Sequence, residues 1–310
     1  MFDRKPSSCI PEPVRVSFRT RSGLCLAGDR WGEAERGTVV LLHGGGQTRF
    51  AWGNTARSLA AAGYCAFALD ARGHGDSDWA GERGYSLDAF ADDLEDVIAE
   101  LATRPAVVGA SLGGMTALLA VARSRPSIAE CVVLVDVTPH YEPEGVRRIV
   151  DFMRARPDGF VSLDEAAQCI SEFLPHRPPP SDTGGLAKNL RRGDDGRYRW
   201  HWDPEFIGRF DDPQSKQLPA RLAEAARCLT VPTLLVRGGL SEIVSEESVR
   251  DFLDLVPHCE YVDVAGAAHM VAGDCNDAFS DAVVEFLERT TVQKSVPSRG
   301  SMGREENTSE

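Results

Sequence analysis

The pentapeptide Gly109-Ala110-Ser111-Leu112-Gly113 places a serine between two glycines. It follows a short apolar run, residues 106–108, and precedes a helical pattern, which is the strand–turn–helix context of a nucleophilic serine. Small residues on both sides permit a tight turn with strained backbone, so that the hydroxyl projects from the edge of a sheet. The N-terminus of the following helix presents free N–H groups to any anion formed there. This pattern predicts a nucleophile at Ser111.

A second glycine run, His43-Gly44-Gly45-Gly46, follows the apolar residues 38–42. Backbone N–H groups in such a run can face a substrate oxygen without obstruction by side chains. We therefore expect an oxyanion hole formed by the N–H groups of Gly45 and Leu112. A glycine loop that merely turns the chain is the alternative.

A serine nucleophile needs a base, and the sequence offers seven histidines: His43, His74, His140, His176, His201, His258 and His269. His269 lies in a loop of small residues after the last predicted strand, from which it can reach Ser111 across the sheet edge. His74 lies in a polar turn that structural hydrogen bonds explain, and three others fall in a long insertion between strands. His269 is therefore the expected base.

The carboxylate that orients this histidine has two candidates. Glu242 lies in the loop after the predicted strand 233–236 and gives the chain order serine, acid, histidine. Asp136 directly follows the predicted strand 131–135 and approaches the same histidine from a neighbouring strand end. We favour Glu242, which predicts a Ser-His-Glu triad, and keep Asp136 as the alternative acid.

The elements that must position these side chains alternate along the chain. Short β-branched apolar runs predict strands, and longer stretches with apolar residues three and four positions apart predict helices. The clearest helix covers residues 87–101, where the apolar side chains recur on one face. The predicted strands are 14–18, 24–30, 38–42, 65–69, 106–108, 131–135, 233–236 and 260–264, and the other predicted helices are 55–62, 112–123 and 276–289. The repeated βα unit favours an α/β fold with a mostly parallel central sheet and helices on both faces.

The alternation of predicted strands and helices stops between residues 137 and 229. Many prolines and a dense polar stretch there predict an inserted helical cap over a pocket. Either Arg191 or Arg192 pairs with a substrate carboxylate, or both lie on a solvated face. Four aromatic residues of the insertion either line the pocket or form the cap's own core: Trp200, Trp202, Phe206 and Phe210. The expected organisation is a core of residues 14–136 and 230–290, a cap of residues 137–229, and disordered tails at 1–13 and 292–310.

Composition narrows the class of protein. The chain has 310 residues, of which 42% are apolar and 26% charged, so it can bury a large core. A net charge of −13 argues against a nucleic acid or an anionic membrane as partner. Without an 18-residue apolar run or an apolar signal segment, we expect no membrane span and a cytoplasmic location. The eight cysteines form no C-x-x-C pair, and we expect neither a metal nor a cofactor.

The motifs in this order resemble the α/β-hydrolase fold family, in its capped serine hydrolase branch with the insertion after the sixth strand. The resemblance covers about residues 14–289 and rests on five segments: 43–46, 70–77, 109–114, 237–242 and 265–269. It implies Ser111 as nucleophile, His269 as base, Glu242 as acid, and Gly45 and Leu112 as oxyanion donors. The family usually has Asp at the position of Glu242, and the histidine motif is stretched to Gly266-Ala267-Ala268-His269.

The resemblance also implies a function. We expect a cofactor-free serine hydrolase that cleaves a small carboxylic ester through an acyl-enzyme intermediate. Epoxide hydrolases and haloalkane dehalogenases of the family use an aspartate nucleophile, so Ser111 argues against both. The alternatives are a carbon–carbon bond hydrolase or perhydrolase of the same fold, a hydrolase-like small-molecule receptor with little turnover, or a scaffold for protein contacts. The sequence leaves open the acyl and alcohol groups and the oligomeric state.

Overall fold

Eight strands form the central sheet of the protein, in a computed structural model that describes residues 12–81, 84–175, 183–208, 210, 216–269 and 276–292. Together with two strands of a separate hairpin, the strands are β1 Val14–Arg19, β2 Cys25–Trp31, β3 Gly37–Leu42, β4 Tyr64–Leu69, β5 Ala106–Ala110, β6 Cys131–Val135, β7 Leu190–Arg192, β8 Tyr198–Trp200, β9 Thr233–Gly238 and β10 Cys259–Val264. The order in the sheet is β1-β2-β4-β3-β5-β6-β9-β10, while β7 and β8 pair separately as an antiparallel hairpin.

The sheet is parallel from β4 to β10 and antiparallel at β1 and β2. Strands β4, β6 and β9 are buried at every residue, because helices cover both faces of the sheet. Their continuous apolar runs are typical of parallel strands in an α/β protein. The predicted fold class, a mostly parallel sheet with helices on both faces, is confirmed.

Helices flank the sheet: α1 Gly53–Ala61, α2 Leu87–Leu101, α3 Leu112–Arg123, α4 Pro143–Arg154, α5 Leu163–Phe173, α6 Pro204–Gly208, α7 Leu218–Arg227, α8 Glu246–Leu255 and α9 Asn276–Val292. One apolar cluster includes buried residues of α2, α3, α7 and α8, and a second cluster on the other face includes those of α1 and α9. Each face of the sheet therefore has its own core layer.

The sequence pattern predicted all eight strands of the sheet but not helix α8. This helix begins after Ser245, whose side chain accepts a hydrogen bond from the Ser248 N–H. Its buried face has only Ser248, Val249 and Phe252 among many charged residues, so its apolar periodicity is weak.

The insertion between β6 and β9 contains the hairpin β7–β8 as well as helices. Its turn has Gly196 at φ +77°, a conformation that favours glycine. Helix α7 packs against α3 and α8, so this last part of the predicted cap lies in the helical layer of the core. The division at residue 229 stays a prediction, and the predicted tails lie almost entirely outside the described residues.

None of the helices that the structure describes is both long enough and apolar enough to cross a bilayer.

Candidate active site

Ser111 lies in a strained turn between β5 and α3. Its backbone has φ +47°, a region that residues with a side chain rarely adopt. A Cβ atom on Gly109 would lie 2.3 Å from the Gly113 oxygen, and one on Gly113 would lie 2.3 Å from the Leu42 oxygen. Glycine is therefore required at both positions, because any side chain would push the turn apart. The turn directs Ser111 into a cleft at the carboxyl edge of the sheet.

Asp136 lies beside Ser111 at the same sheet edge. Strands β5 and β6 are parallel, with Ala110 opposite Val135. The residues that follow these two strands, Ser111 and Asp136, therefore lie side by side. Asp136 has φ +48°, and its carboxylate is fully buried. Two neighbouring strands thus both end in a residue with left-handed backbone, a kind of strain that concentrates at functional sites.

The Asp136 carboxylate has three hydrogen-bond donors around it. Its Oδ1 accepts from the Gly238 N–H at 3.1 Å, and its Oδ2 accepts from the Ser241 hydroxyl at 2.6 Å. The same Oδ2 accepts from His269 Nδ1 at 2.6 Å. These bonds compensate for the burial of the charge and hold it in place.

His269 lines the same cleft as Ser111, with 18% of its side chain exposed. Because the Asp136 carboxylate can only accept a hydrogen bond from His269 Nδ1, the proton of the neutral imidazole lies on that nitrogen. The other nitrogen, Nε2, keeps its lone pair. This tautomer is the one that a general base next to a serine needs.

Glu242 does not reach His269, which corrects the expected Ser-His-Glu arrangement. Its carboxylate pairs with Arg148 of α4, and its side chain is 63% exposed. The cause is the turn after β9, where the Ser241 N–H donates to the Gly238 oxygen at 2.8 Å and brings the Ser241 side chain onto Asp136. The next residue, Ile243, is buried, whereas the Glu242 carboxylate stays with Arg148 where both side chains line the cleft.

Ser241 is a site residue that the sequence reasoning missed. It lies next to Glu242 in the Arg-Gly-x-x-Ser pattern, and its hydroxyl also accepts hydrogen bonds from the N–H groups of Ile243 and Val244. The serine of this pattern was visible in the sequence. Its role depends on the position of Asp136, which the pattern does not specify.

The glycine loop at residues 43–46 lies against Ser111, since a Cβ on Gly44 would be 3.4 Å from the Ser111 Cβ. The Gly44 N–H donates to Gln47 Oε1 at 2.9 Å and the Gly46 N–H donates to His74 Nε2 at 3.1 Å.

At the start of α3, the Gly113 N–H donates to the His43 oxygen at 3.2 Å. Within the described residues, the N–H groups of Gly45 and Leu112 have no acceptor in the protein. The loop and the helix start thus leave two donors for a ligand.

The cleft that holds Ser111 and His269 has a volume of about 1970 Å³. Trp200, Trp202, Phe206 and Phe210 all line it, as the first of the two sequence interpretations expected. The rings of Trp200 and Trp202 stack at 4.9 Å. The wall contributed by the insertion is therefore mainly apolar, with these aromatic rings beside aliphatic side chains such as Ile149 and Met153.

Arg191 and Arg192 do not line this cleft. Arg191 donates to the Gly75 oxygen and lies over the ring of Trp79, and Arg192 lies over the ring of Tyr198. The structure therefore does not support a role for either arginine in binding a substrate carboxylate. Elsewhere in the described ranges, no group of three or more His, Cys, Asp or Glu side chains is arranged to hold a metal ion.

Comparison with known proteins gives the family. Residues 37–274 match the family model of the alpha/beta hydrolase fold. An esterase of Mycobacterium tuberculosis is 32% identical in an alignment of 292 residues that covers 90% of this chain and 90% of that one. The 2-(acetamidomethylene)succinate hydrolase of Mesorhizobium japonicum is 31% identical over 229 residues, covering 73% of this chain and 79% of that one.

Solved structures of hydrolases give the same family as the sequence comparisons. The crystal structure of an E-2-(acetamidomethylene)succinate hydrolase has a TM-score of 0.77 at 25% identity, covering 89% of this chain and all of that one. A structure of the Mycobacterium tuberculosis esterase has a TM-score of 0.70 at 29% identity, covering 90% and 93%. The chain belongs to the α/β hydrolase fold family. Its esterase and hydrolase relatives support its assignment as a hydrolase.

Proposed function

We propose that the protein is a serine hydrolase that cleaves a carboxylic ester through an acyl-enzyme, with Ser111 as nucleophile, His269 as base and Asp136 as acid. The observation that carries this proposal is the 2.6 Å hydrogen bond from His269 Nδ1 to the buried Asp136 carboxylate. This bond leaves Nε2 free to accept a proton, and Ser111 opens into the same cleft.

In the first half of the reaction, the Ser111 oxygen attacks the acyl carbonyl while its proton passes to His269 Nε2. The positive charge on the imidazole is stabilised by Asp136, which stays ionised. The carbonyl oxygen becomes an anion and accepts hydrogen bonds from the Gly45 and Leu112 N–H groups. His269 then donates its proton to the leaving alcohol, and the acyl group remains on Ser111.

In the second half, water takes the place of the alcohol. His269 accepts a proton from the water as its oxygen attacks the acyl carbonyl. The same two N–H groups hold the second oxyanion, and Ser111 leaves with the proton from His269. The products are a carboxylic acid and an alcohol, and the chain returns to its starting state without a cofactor.

The oxyanion assignment is supported by the hydrogen bonds of the neighbouring groups. The N–H groups of Gly44, Gly46 and Gly113 already have acceptors in the protein, whereas those of Gly45 and Leu112 have none among the described residues. Each well-placed donor of this kind stabilises a transition state by roughly 3 kcal/mol.

The proposal is tested with p-nitrophenyl esters from acetate to laurate. Ser111→Ala is expected to abolish turnover, and a serine-reactive phosphonate is expected to add one group to the wild type at Ser111, as seen by intact mass and peptide mapping. Ser58→Ala, on the exposed face of α1, is the matched control and keeps full activity. Turnover that survives in Ser111→Ala, or an adduct on another residue, would refute the nucleophile. A clean adduct without ester turnover would instead point to a different bond, such as a carbon–carbon bond.

A further inference from the structure

Three buried histidines lie in a row behind the glycine loop. The ring centroids of His43 and His74 are 5.2 Å apart, and those of His74 and His201 are 5.8 Å apart. None of the three is more than 2% exposed. His43 and His74 belong to loops at the sheet edge, whereas His201 belongs to the insertion. The mechanism above uses none of them.

Each ring accepts one backbone hydrogen bond and donates another. The Gly75 N–H donates to His201 Nδ1 at 2.8 Å, so the proton of His201 lies on Nε2, which is 3.3 Å from the Gly46 oxygen. The Gly46 N–H donates to His74 Nε2, so His74 Nδ1 donates to the Arg72 oxygen at 2.9 Å. A backbone N–H can only donate and a backbone C=O can only accept, so these bonds determine the tautomers of His74 and His201.

Gly46 is therefore held from two sides. His74 accepts from its N–H, and His201 donates to its C=O. Gly46 has φ +75°, so without these bonds its peptide groups have unusual freedom to rotate. The residue before it is Gly45, whose N–H has no acceptor among the described residues. The Gly45 N–H lies on the Gly44–Gly45 peptide, whose C=O accepts from the Gln47 N–H at 3.1 Å and from His43 Nδ1 at 2.8 Å. A shift of the chain at Gly46 would displace this neighbouring peptide and its donor.

The insertion also packs against this loop. A Cβ on Gly46 would lie 3.0 Å from Met153 Cε and 3.4 Å from Trp202 Cζ3. A Cβ on Gly45 would lie 3.4 Å from Phe206 Cζ. Side chains of α4, α6 and the segment after β8 thus cover the loop on the side away from the sheet.

Burial keeps His201 in the form that makes these two bonds. Desolvation, with the neighbouring His43 as the second cause, lowers the pKa of His201 to about 3. Desolvation likewise lowers the pKa of His43. A neutral His201 has one donor and one acceptor, which match the Gly46 C=O and the Gly75 N–H.

We propose that His201 is a positioning residue that holds the Gly46 carbonyl and thereby keeps the glycine loop in the position at which the Gly45 N–H faces the oxyanion. The oxyanion hole is then complete only when the segment after β8 is seated on the glycine loop. This inference rests on the proposed function, because it acts through the Gly45 donor. It makes the insertion part of the catalytic geometry as well as a wall of the cleft.

Two substitutions test separately the two hydrogen bonds of His201, one to the Gly46 oxygen and one to the Gly75 N–H. In His201→Gln, the amide nitrogen lies near the position of Nε2 and can still donate to the Gly46 oxygen. In His201→Asn, the shorter amide can accept from the Gly75 N–H but cannot reach Gly46. The prediction is that kcat falls ~10–100-fold in the Asn variant and by less than about threefold in the Gln variant, with KM little changed in both.

A second readout reports on the oxyanion itself. A trifluoromethyl ketone analogue forms a tetrahedral anion on the nucleophile, so its affinity is expected to fall in His201→Asn by the same factor as kcat/KM. Inhibition by the carboxylic acid product, which forms no such anion, is expected to stay unchanged. Rates are expressed per site labelled by the phosphonate, so that a partly folded variant is still compared fairly. His140→Asn, at an exposed histidine paired with Asp251, is the control.

The outcomes are distinguishable from failure of the proposed function. If the wild type neither turns over esters nor labels at Ser111, the proposed function fails. If the wild type is active but the Asn and Gln variants fall equally, His201 acts only by packing, and the positioning role is overturned. Unchanged kcat and unchanged ketone affinity in His201→Asn would overturn it as well.

Discussion

The Ser241 hydroxyl lies 2.6 Å from Asp136 Oδ2, the same oxygen that accepts the hydrogen bond from His269. The loop after β9 therefore contributes a serine that holds the Asp136 carboxylate, and Asp136 itself lies at the end of β6. Glu242, one residue further along this loop, faces Arg148. The chain thus builds the carboxylate–imidazole pair from the strand next to the nucleophile.

Replacing Asp136 by Asn is expected to lower kcat by about 10³–10⁴-fold, because the amide no longer fixes the productive tautomer of His269. Glu242→Gln is the matched control, since it removes the same charge from an exposed pair and is expected to change kcat by less than about threefold. Steady-state kinetics on one p-nitrophenyl ester decides between the two acids. A large loss in Glu242→Gln with an active Asp136→Asn would reverse the assignment.

Ser241→Ala removes one donor from the Asp136 carboxylate and leaves the N–H groups of Ile243 and Val244 without their acceptor. We expect kcat to fall ~10-fold with little change in KM, the size of effect expected when a buried charge loses a hydrogen bond. Ser241→Thr keeps the hydroxyl and is expected to restore most of the activity. Equal loss in both variants would mean that the side chain matters only for packing.

Gly113→Ala tests the close approach at the turn after β5. The new methyl group would lie 2.3 Å from the Leu42 oxygen, so we expect the free energy of unfolding to fall by about 2–4 kcal/mol, as for other overpacked sites. Gly53→Ala, which has open space around it at the start of α1, is the control and is expected to be neutral or slightly stabilising. Urea unfolding followed by circular dichroism measures both. A fully stable Gly113→Ala protein would contradict the turn.

The buried histidines make stability depend on pH. The pKa of His201 is about 3 in the folded protein, below the ordinary value of 6.5, so the unfolded chain binds its proton first as the pH falls. The free energy of unfolding therefore decreases below pH 6.5, by up to ~1.4 kcal/mol per pH unit for this histidine.

Urea unfolding at pH 7.5, 6.5 and 5.5 measures this dependence. The pKa of His43 is also lowered, so part of the slope is expected to remain in His201→Gln. A slope that is the same in the wild type and in His201→Gln would show that His201 is not held neutral by burial.

Local sequence patterns were enough to predict the sheet and the nucleophile turn. The alternation of apolar runs and helical periodicity is decided by residues close together in the chain. The glycines around Ser111 act in the same local way, because they meet backbone atoms of their own turn and of the neighbouring strand β3. These features therefore follow from the order of residue types.

Tertiary structure decided which carboxylate contacts His269. Both Asp136 and Glu242 follow a strand of the sheet, and the sequence pattern favoured Glu242. The turn closed by the Ser241 N–H and the Gly238 oxygen leaves the Glu242 carboxylate on Arg148, while the left-handed backbone of Asp136 places its carboxylate on His269. Side-chain direction at a loop depends on how that loop folds back, which residue spacing alone does not determine.

The position of His201 also depends on the tertiary structure. It is 155 residues from Gly46 in the chain, within an insertion whose aromatic residues had two interpretations. Only the packing of that insertion on the glycine loop excludes water from the ring and gives it two backbone partners. The sequence by itself determined the strands of the sheet, four of the helices that flank it and the tight turn at Ser111. The fold determined which distant side chains hold these elements, because burial and hydrogen-bond partners exist only after the elements have packed.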